Sequence, residues 1–185
     1  VNPLDWAILG VGLLVLIFSF FGYYHGSVEG SGIISYSASY SAWHEIFGGG
    51  FVGWFGIILA IVGAIFLALD IFAPGTLKLP APIRLVALGL FALGFIFELL
   101  ALVAHPKFTS ESGAGFKVSF GHGFSYWVEL ILTLAGTVLC LMRLQQTGGK
   151  LPGALSKIPN IGGPGSNPPP PPGNYPPPPN YGPPQ

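Results

Sequence analysis

Four long apolar stretches set the plan of the chain: Trp6 to Tyr24, Phe51 to Phe72, Ile83 to Ala104 and Phe124 to Met142. Each approaches or reaches the roughly 20 residues that a helix needs to cross the hydrocarbon core of a bilayer, so each is predicted to be a membrane-spanning helix. Aromatic residues mark the ends, as expected at the level of lipid headgroups. Trp6 opens the first stretch, Tyr23 and Tyr24 close it, Trp54 opens the second, and Tyr126 with Trp127 opens the fourth. The link between the second and third stretches, Ala73 to Pro82, is short and punctuated by Pro74, Gly75, Pro80 and Pro82, which makes those two helices antiparallel neighbours. The other two links, Gly26 to Gly50 and His105 to Gly123, are longer and fall on the opposite side.

The first long link changes period. From Ile33 to Trp43 serines alternate with apolar or aromatic residues, the pattern of a half-exposed strand, and the glycines around Gly30 and Gly32 suit a hairpin turn. The alternative is an interfacial helix, because Tyr36, Tyr40, Trp43 and Phe47 also recur at helical spacing. Four serines favour the extended form, so a small outer β-hairpin is the expectation. In the second long link Phe116, Val118 and Phe120 alternate, and the segment Gly115 to Phe120 is a candidate third strand of the same sheet. From Gly148 onward glycine, proline and asparagine dominate, with Pro168 to Pro172 and Pro176 to Pro179 each near a tyrosine. Such a segment cannot bury a core and is predicted to be a disordered, polyproline-biased tail. The expected architecture is therefore an all-α membrane protein: a four-helix transmembrane domain over residues 1–147 with a small outer hairpin, then a disordered tail over residues 148–185.

Composition agrees with the pattern. Hydrophobic residues make up 51% of the chain and charged residues only 8%, against about a quarter in an ordinary soluble domain. The formal net charge is zero and no basic block is present, which argues against nucleic acid as a partner. Cys140 is the single cysteine, so no internal disulfide and no cysteine-built zinc site is available, and it reads as a small packing residue. Lys78, Arg84, Arg143, Lys150 and Lys157 lie on the side of the short link and the C terminus, whereas the two long links carry only Lys107 and Lys117. That bias predicts a multi-pass plasma-membrane protein with both termini in the cytoplasm. The first residue is valine, which we read as a valine-type start codon translated literally; the segment after it lacks the basic start and small-residue cleavage pattern of a signal peptide.

Three acids fall within or at the ends of the apolar spans: Asp70, Glu98 and Glu129. Ionisable groups at such positions are costly, which makes each a functional candidate. Asp70 is expected in an interfacial ion pair with Arg84 or Arg143. Glu98 follows Ala87, Phe91 and Gly94 along one helix face, and Glu129 leads Thr133, Gly136 and Cys140 along another, so both are expected to point into the bundle at a shared depth. A buried carboxyl there is expected either to join a metal or proton site with the outer histidines His25, His44, His105 and His122, or to sit protonated against Thr133 or a loop hydroxyl. No helical metal-ligand spacing is present, so the expectation is no metal and no cofactor. Gly53, Gly56, Ala60 and Gly63 form a small-residue stripe on the second helix, a candidate packing face; self-association through the same stripe would give a homo-oligomer. No nucleophile elbow, phosphate loop, dinucleotide fingerprint or zinc-protease motif occurs.

The serine-rich segment from Ser35, Trp43, the short glycine run and the helix opening Phe51-Val52-Gly53-Trp54, with a loop starting at His105-Pro106-Lys107 and a tail rich in Pro, Gly and Tyr, resembles small four-span membrane proteins of actinobacteria. The order of parts is similar to that of the mycobacterial family of 34 kDa antigenic proteins, with a shorter tail, fewer glutamines and an added pair of membrane carboxylates. The resemblance implies a cell-envelope protein associated with growth or division machinery, and it carries no catalytic residues. The leading expectation is a non-enzymatic scaffold anchored in the lipid bilayer whose tail recruits a protein partner. The rival is a proton- or metal-linked transport or sensing protein using Glu98 and Glu129. An enzyme acting on lipid-linked substrates ranks below both, since the basic residues that hold phosphate are missing.

Overall fold

The computed structural model describes residues 2–29, 35–44, 51–77, 79–103, 117–148, 157 and 159. Among the described residues four helices and three short strands follow one another: α1 (Pro3–Phe18), β1 (Tyr24–Glu29), β2 (Ser35–Tyr40), α2 (Phe51–Phe72), α3 (Ile83–Val103), β3 (Lys117–His122) and α4 (Phe124–Gln146). Three helical segments are long and apolar enough to cross a membrane: Val52–Phe72, Ile83–Val103 and Phe124–Gln146. The predicted tail, apart from Gly148, Lys157 and Pro159, lies outside the described residues, as do His105 and most of the second long link.

The first helix differs from its predicted span of 6–24. It starts earlier because Asn2 caps it: the Asn2 side chain accepts from Leu4 N at 2.9 Å, Asp5 accepts from Asn2 N at 3.2 Å, and Pro3 occupies the first turn, where a missing N–H costs nothing. It stops earlier because the residues after Phe18 have other partners. Ser19 Oγ turns back to Leu16 O at 2.6 Å, and the backbone N–H of Tyr23 donates to Tyr40 O at 2.8 Å, committing the chain to the sheet. At 16 residues α1 is about 24 Å long. The fourth helix runs one turn beyond its predicted end at Met142, to Gln146, where Thr147 caps it and Gly148 takes a positive φ of 68°.

The helices close a ring in which α1 packs on α2 and α4, and α3 packs on α2 and α4. Small residues permit the close approaches. Gly56 on α2 faces Gly94 on α3, where an added Cβ would meet the opposing carbonyl at 2.8 Å on either side. Gly63 lies against Leu90 and Phe91 of α3, while Gly53 lies under the ring of Tyr23. The stripe on α2 is thus occupied within the chain. Gly12 of α1 meets Ala64 of α2, and Gly136 of α4 receives the ring of Phe91. The interior is an apolar core that includes Ile8, Val15, Ile57, Leu67 and Phe91, with Asp5, Ser19, Glu98, Ser125, Glu129 and Thr133 buried among it, whereas Leu13, Leu14, Ile65, Leu100, Ile131 and Leu134 are exposed on the outer faces.

The three strands form one antiparallel sheet in the order β2-β1-β3. β1 and β2 make the hairpin that the serine alternation predicts, with Tyr24 opposite Tyr40 and Glu29 opposite Ser35; β3 adds on the other side with Tyr24 opposite His122. Backbone bonds weld the sheet to the helix ends: Gly123 N donates to Tyr23 O at 2.7 Å, Ser125 N to Gly22 O at 3.3 Å and Ala42 N to Ser19 O at 3.2 Å. Gly123 also has to be small, because a Cβ there would overlap the Gly22 carbonyl. Among the aromatic residues predicted to sit at helix ends as an interfacial belt, Trp6 and Trp127 are exposed, but Tyr23, Tyr24 and Tyr126 are buried instead. Their hydroxyls serve the interior.

At the opposite end of the bundle the start of α1 and the end of α4 lie beside the α2–α3 link. Trp6 packs edge-on to Phe72 with ring centroids 5.9 Å apart, and Arg84 reaches Asp70 at 4.0 Å on a partly exposed surface. Arg143 does not pair with Asp70. It forks onto Asp5, with Nε at 2.6 Å from Oδ1 and Nη2 at 3.0 Å from Oδ2, joining the first turn of α1 to the last of α4. This bidentate pair is nearly buried, which separates it from ordinary surface ion pairs. Removing one partner leaves a buried charge, so Arg143→Ala is expected to cost about 3–5 kcal/mol of unfolding free energy. Denaturant titration of the purified protein checks this, and Asp5→Asn added to Arg143→Ala is expected to return part of the loss.

Candidate functional site

The sheet end of the ring holds the two acids singled out in the sequence. Glu98 lies about a turn and a half before the end of α3, and Glu129 about as far after the start of α4, so antiparallel packing brings them to one level. Both are fully buried. Tyr23 and Tyr126 converge on Glu98, and Ser125 stands beside Glu129.

Each carboxyl has one hydroxyl partner. The Tyr23 O–H donates to Glu98 Oε2 at 2.7 Å, and Tyr126 donates to the Glu98 backbone carbonyl at 2.7 Å, holding α4 against α3. Ser125 Oγ stands 3.2 Å from Glu129 Oε1 and also bonds the Phe18 carbonyl. The remaining oxygens, Glu98 Oε1 and Glu129 Oε2, have no hydrogen-bond partner among the described residues. Thr133, the predicted partner of a buried carboxyl, bonds the backbone carbonyls of Glu129 and Leu130 at 2.9 and 3.1 Å; a hydroxyl at the helix start takes the side chain instead.

The aromatic rings around the acids stack edge to face. Tyr23 lies 5.3 Å from Tyr126 at 86° and 4.7 Å from Tyr24 at 75°. Burial on β1 pushes the Tyr24 hydroxyl up to about 12, so it stays a neutral phenol at any physiological pH. His122 covers the cluster with its ring 4.0 Å from Tyr126, and its Nε2 lies 3.2 Å from Ala101 O. A carbonyl only accepts, so that nitrogen carries the hydrogen. The other described histidines are apart from the acids: His25 bonds Ser39 Oγ at 3.2 Å and His44 stacks on Tyr40 at 4.9 Å. No group of three His, Cys, Asp or Glu side chains able to hold a metal occurs among the described residues.

Beside the cluster an open pocket of about 670 Å³ is bordered by Phe18, Gly22, His25, Ser39, His122 and Ser125. Ser125 is thus shared between the pocket and Glu129. Sequence reasoning missed Tyr23, Ser125 and Tyr126 as partners of the acids. Ser125 and Glu129 stand one helical turn apart, which is the signal that points from one to the other. No family model, curated protein or solved structure matches the chain.

The Tyr23 hydroxyl is the one hydrogen-bond donor to the Glu98 side chain among the described residues. Tyr23→Phe keeps the ring packing and removes that donor, and is expected to lower stability by about 1–3 kcal/mol. Tyr36→Phe, at an exposed position on the sheet, serves as the comparison in the same thermal-unfolding measurement and is expected to change little.

Proposed function

We propose that the chain is a non-enzymatic, multi-pass protein of the plasma membrane, in which all four helices cross the bilayer and carry the three-stranded sheet on the outer face. The observation that supports this best is the apolar outer surface of the helices, where leucines and isoleucines such as Leu13, Leu14, Ile65, Leu100, Ile131 and Leu134 are exposed although the interior is already filled. In water so large an apolar surface would be costly; in hydrocarbon it is the favoured one. α1 is shorter than the other three, but exposed Phe20 and Phe21 continue its apolar surface toward the sheet. Packed between α2 and α4, it reads as the fourth span. Arg84 and Arg143 at the end opposite the sheet agree with a cytoplasmic placing of both termini.

The scaffold reading adds that the Pro-rich tail reaches a cytoplasmic protein partner, and the resemblance to actinobacterial four-span proteins suggests a cell-envelope setting. The glycine stripe on α2 is already covered by α3 and Tyr23, so a homo-oligomer would use the exposed faces of the bundle.

Cysteine labelling tests the topology. In a Cys140→Ser background, a cysteine at exposed Ser37 is expected to react with a membrane-impermeant reagent in intact cells, whereas cysteines at exposed Thr76 and Thr147 are expected to react only after the cells are opened. The reverse pattern would overturn the orientation, and equal labelling of all three in intact cells would overturn the membrane placing. The scaffold role has its own check: removing residues 159–185 is expected to deplete specific proteins from a co-purification, and an unchanged set would sink tail-mediated recruitment.

A further inference from the structure

We infer that Glu98 and Glu129 together form a buried proton-binding site, and that its proton exchanges with the pocket beside the sheet through the hydroxyl of Ser125. The inference goes beyond the scaffold reading and holds whichever way the bundle is oriented.

The first ground is charge. Two fully buried carboxyls stand at one level on neighbouring helices, and neither arginine reaches them: Arg143 is taken by Asp5 and Arg84 faces Asp70, both at the far end of the bundle. Two unpaired carboxylates at that depth would each carry a heavy desolvation penalty, to which any mutual repulsion adds. One added proton removes most of both.

The second ground is hydrogen counting. Ser125 has one hydroxyl hydrogen and two oxygen neighbours, the Phe18 carbonyl and Glu129 Oε1. The carbonyl can only accept, so with that bond made, the contact to Glu129 is a hydrogen bond only if the carboxyl supplies the hydrogen. Glu98 and Glu129 each also keep one oxygen without a partner among the described residues, which leaves room for a proton on the pair but no ready set of ligands for a larger ion.

The third ground is access. Ser125 borders the pocket and touches Glu129, so it can give its hydrogen to one side while taking one from the other. The titratable neighbours from the remaining elements are Tyr23 before β1, Tyr24 on β1, His122 on β3 and Tyr126 on α4; α2 contributes glycines 53 and 56. His122 lines the same pocket.

Infrared spectroscopy of the full chain in lipid nanodiscs tests this. At about pH 7, where exposed carboxyls are ionised, a protonated-carboxyl band that shifts in D2O is expected in the parent protein and absent in Glu98→Gln/Glu129→Gln. No band, or a band that survives in the double variant, overturns the site. Loss of the band when sodium or potassium is added at constant pH overturns the proton in favour of a monovalent cation. For the route, Ser125→Ala is expected to slow deuteration of the band at least about tenfold, a factor equivalent to about 1.4 kcal/mol, and Ser125→Thr to restore the rate. An unchanged rate in Ser125→Ala overturns the route. The cysteine-labelling pattern does not depend on either result, so the two readings fail separately.

Discussion

A polar group that the helices turn inward has to draw any partner from inside the protein, because the outward faces are lined by leucine, isoleucine, valine, phenylalanine and tryptophan. That constraint organises both ends of the bundle. At one end it produces the fork between Arg143 and Asp5; at the other it produces the bonds from Tyr23 to Glu98 and from Tyr126 to the α3 backbone. An unmet hydrogen bond in such surroundings costs more than the net value of a typical met one. The position of each inward side chain therefore fixes the position of the element that satisfies it.

The sheet belongs to the same logic. Three short strands would be marginal alone, yet here the central strand starts directly after a tyrosine whose ring is sunk between helices. The backbone of Tyr23 joins the sheet through Tyr40 and Gly123 while its hydroxyl joins the bundle through Glu98. Sheet and bundle are one packed unit, and the glycines at 22 and 123 allow the two backbones to touch where they merge.

Much of this was legible in the sequence. The four apolar stretches, the alternating serines of β2 and the shared level of Glu98 and Glu129 all follow from local spacing, because each depends on residues a few positions apart. What escaped was the pairing of distant groups. Tyr23 and Tyr126 fit a headgroup belt as well as they fit a buried bond, since a tyrosine is apolar along its body and polar at its tip, and only the carboxyl and the carbonyl of residue 98 decide between them. Likewise the place of Asp5 in the capping box behind Asn2 is a local matter, while its second role depends on an arginine at the other end of the domain. The early end of α1 has the same cause: nothing local stops a helix at Phe18, but the sheet claims the residues that follow.

The clasp between Asp5 and Arg143 also bears on how the domain is made. Asp5 stands in the first turn of α1 and its partner in the last turn of α4, so the acid has no arginine beside it until α4 has been made. Closure of the ring at this end therefore waits for its last helix.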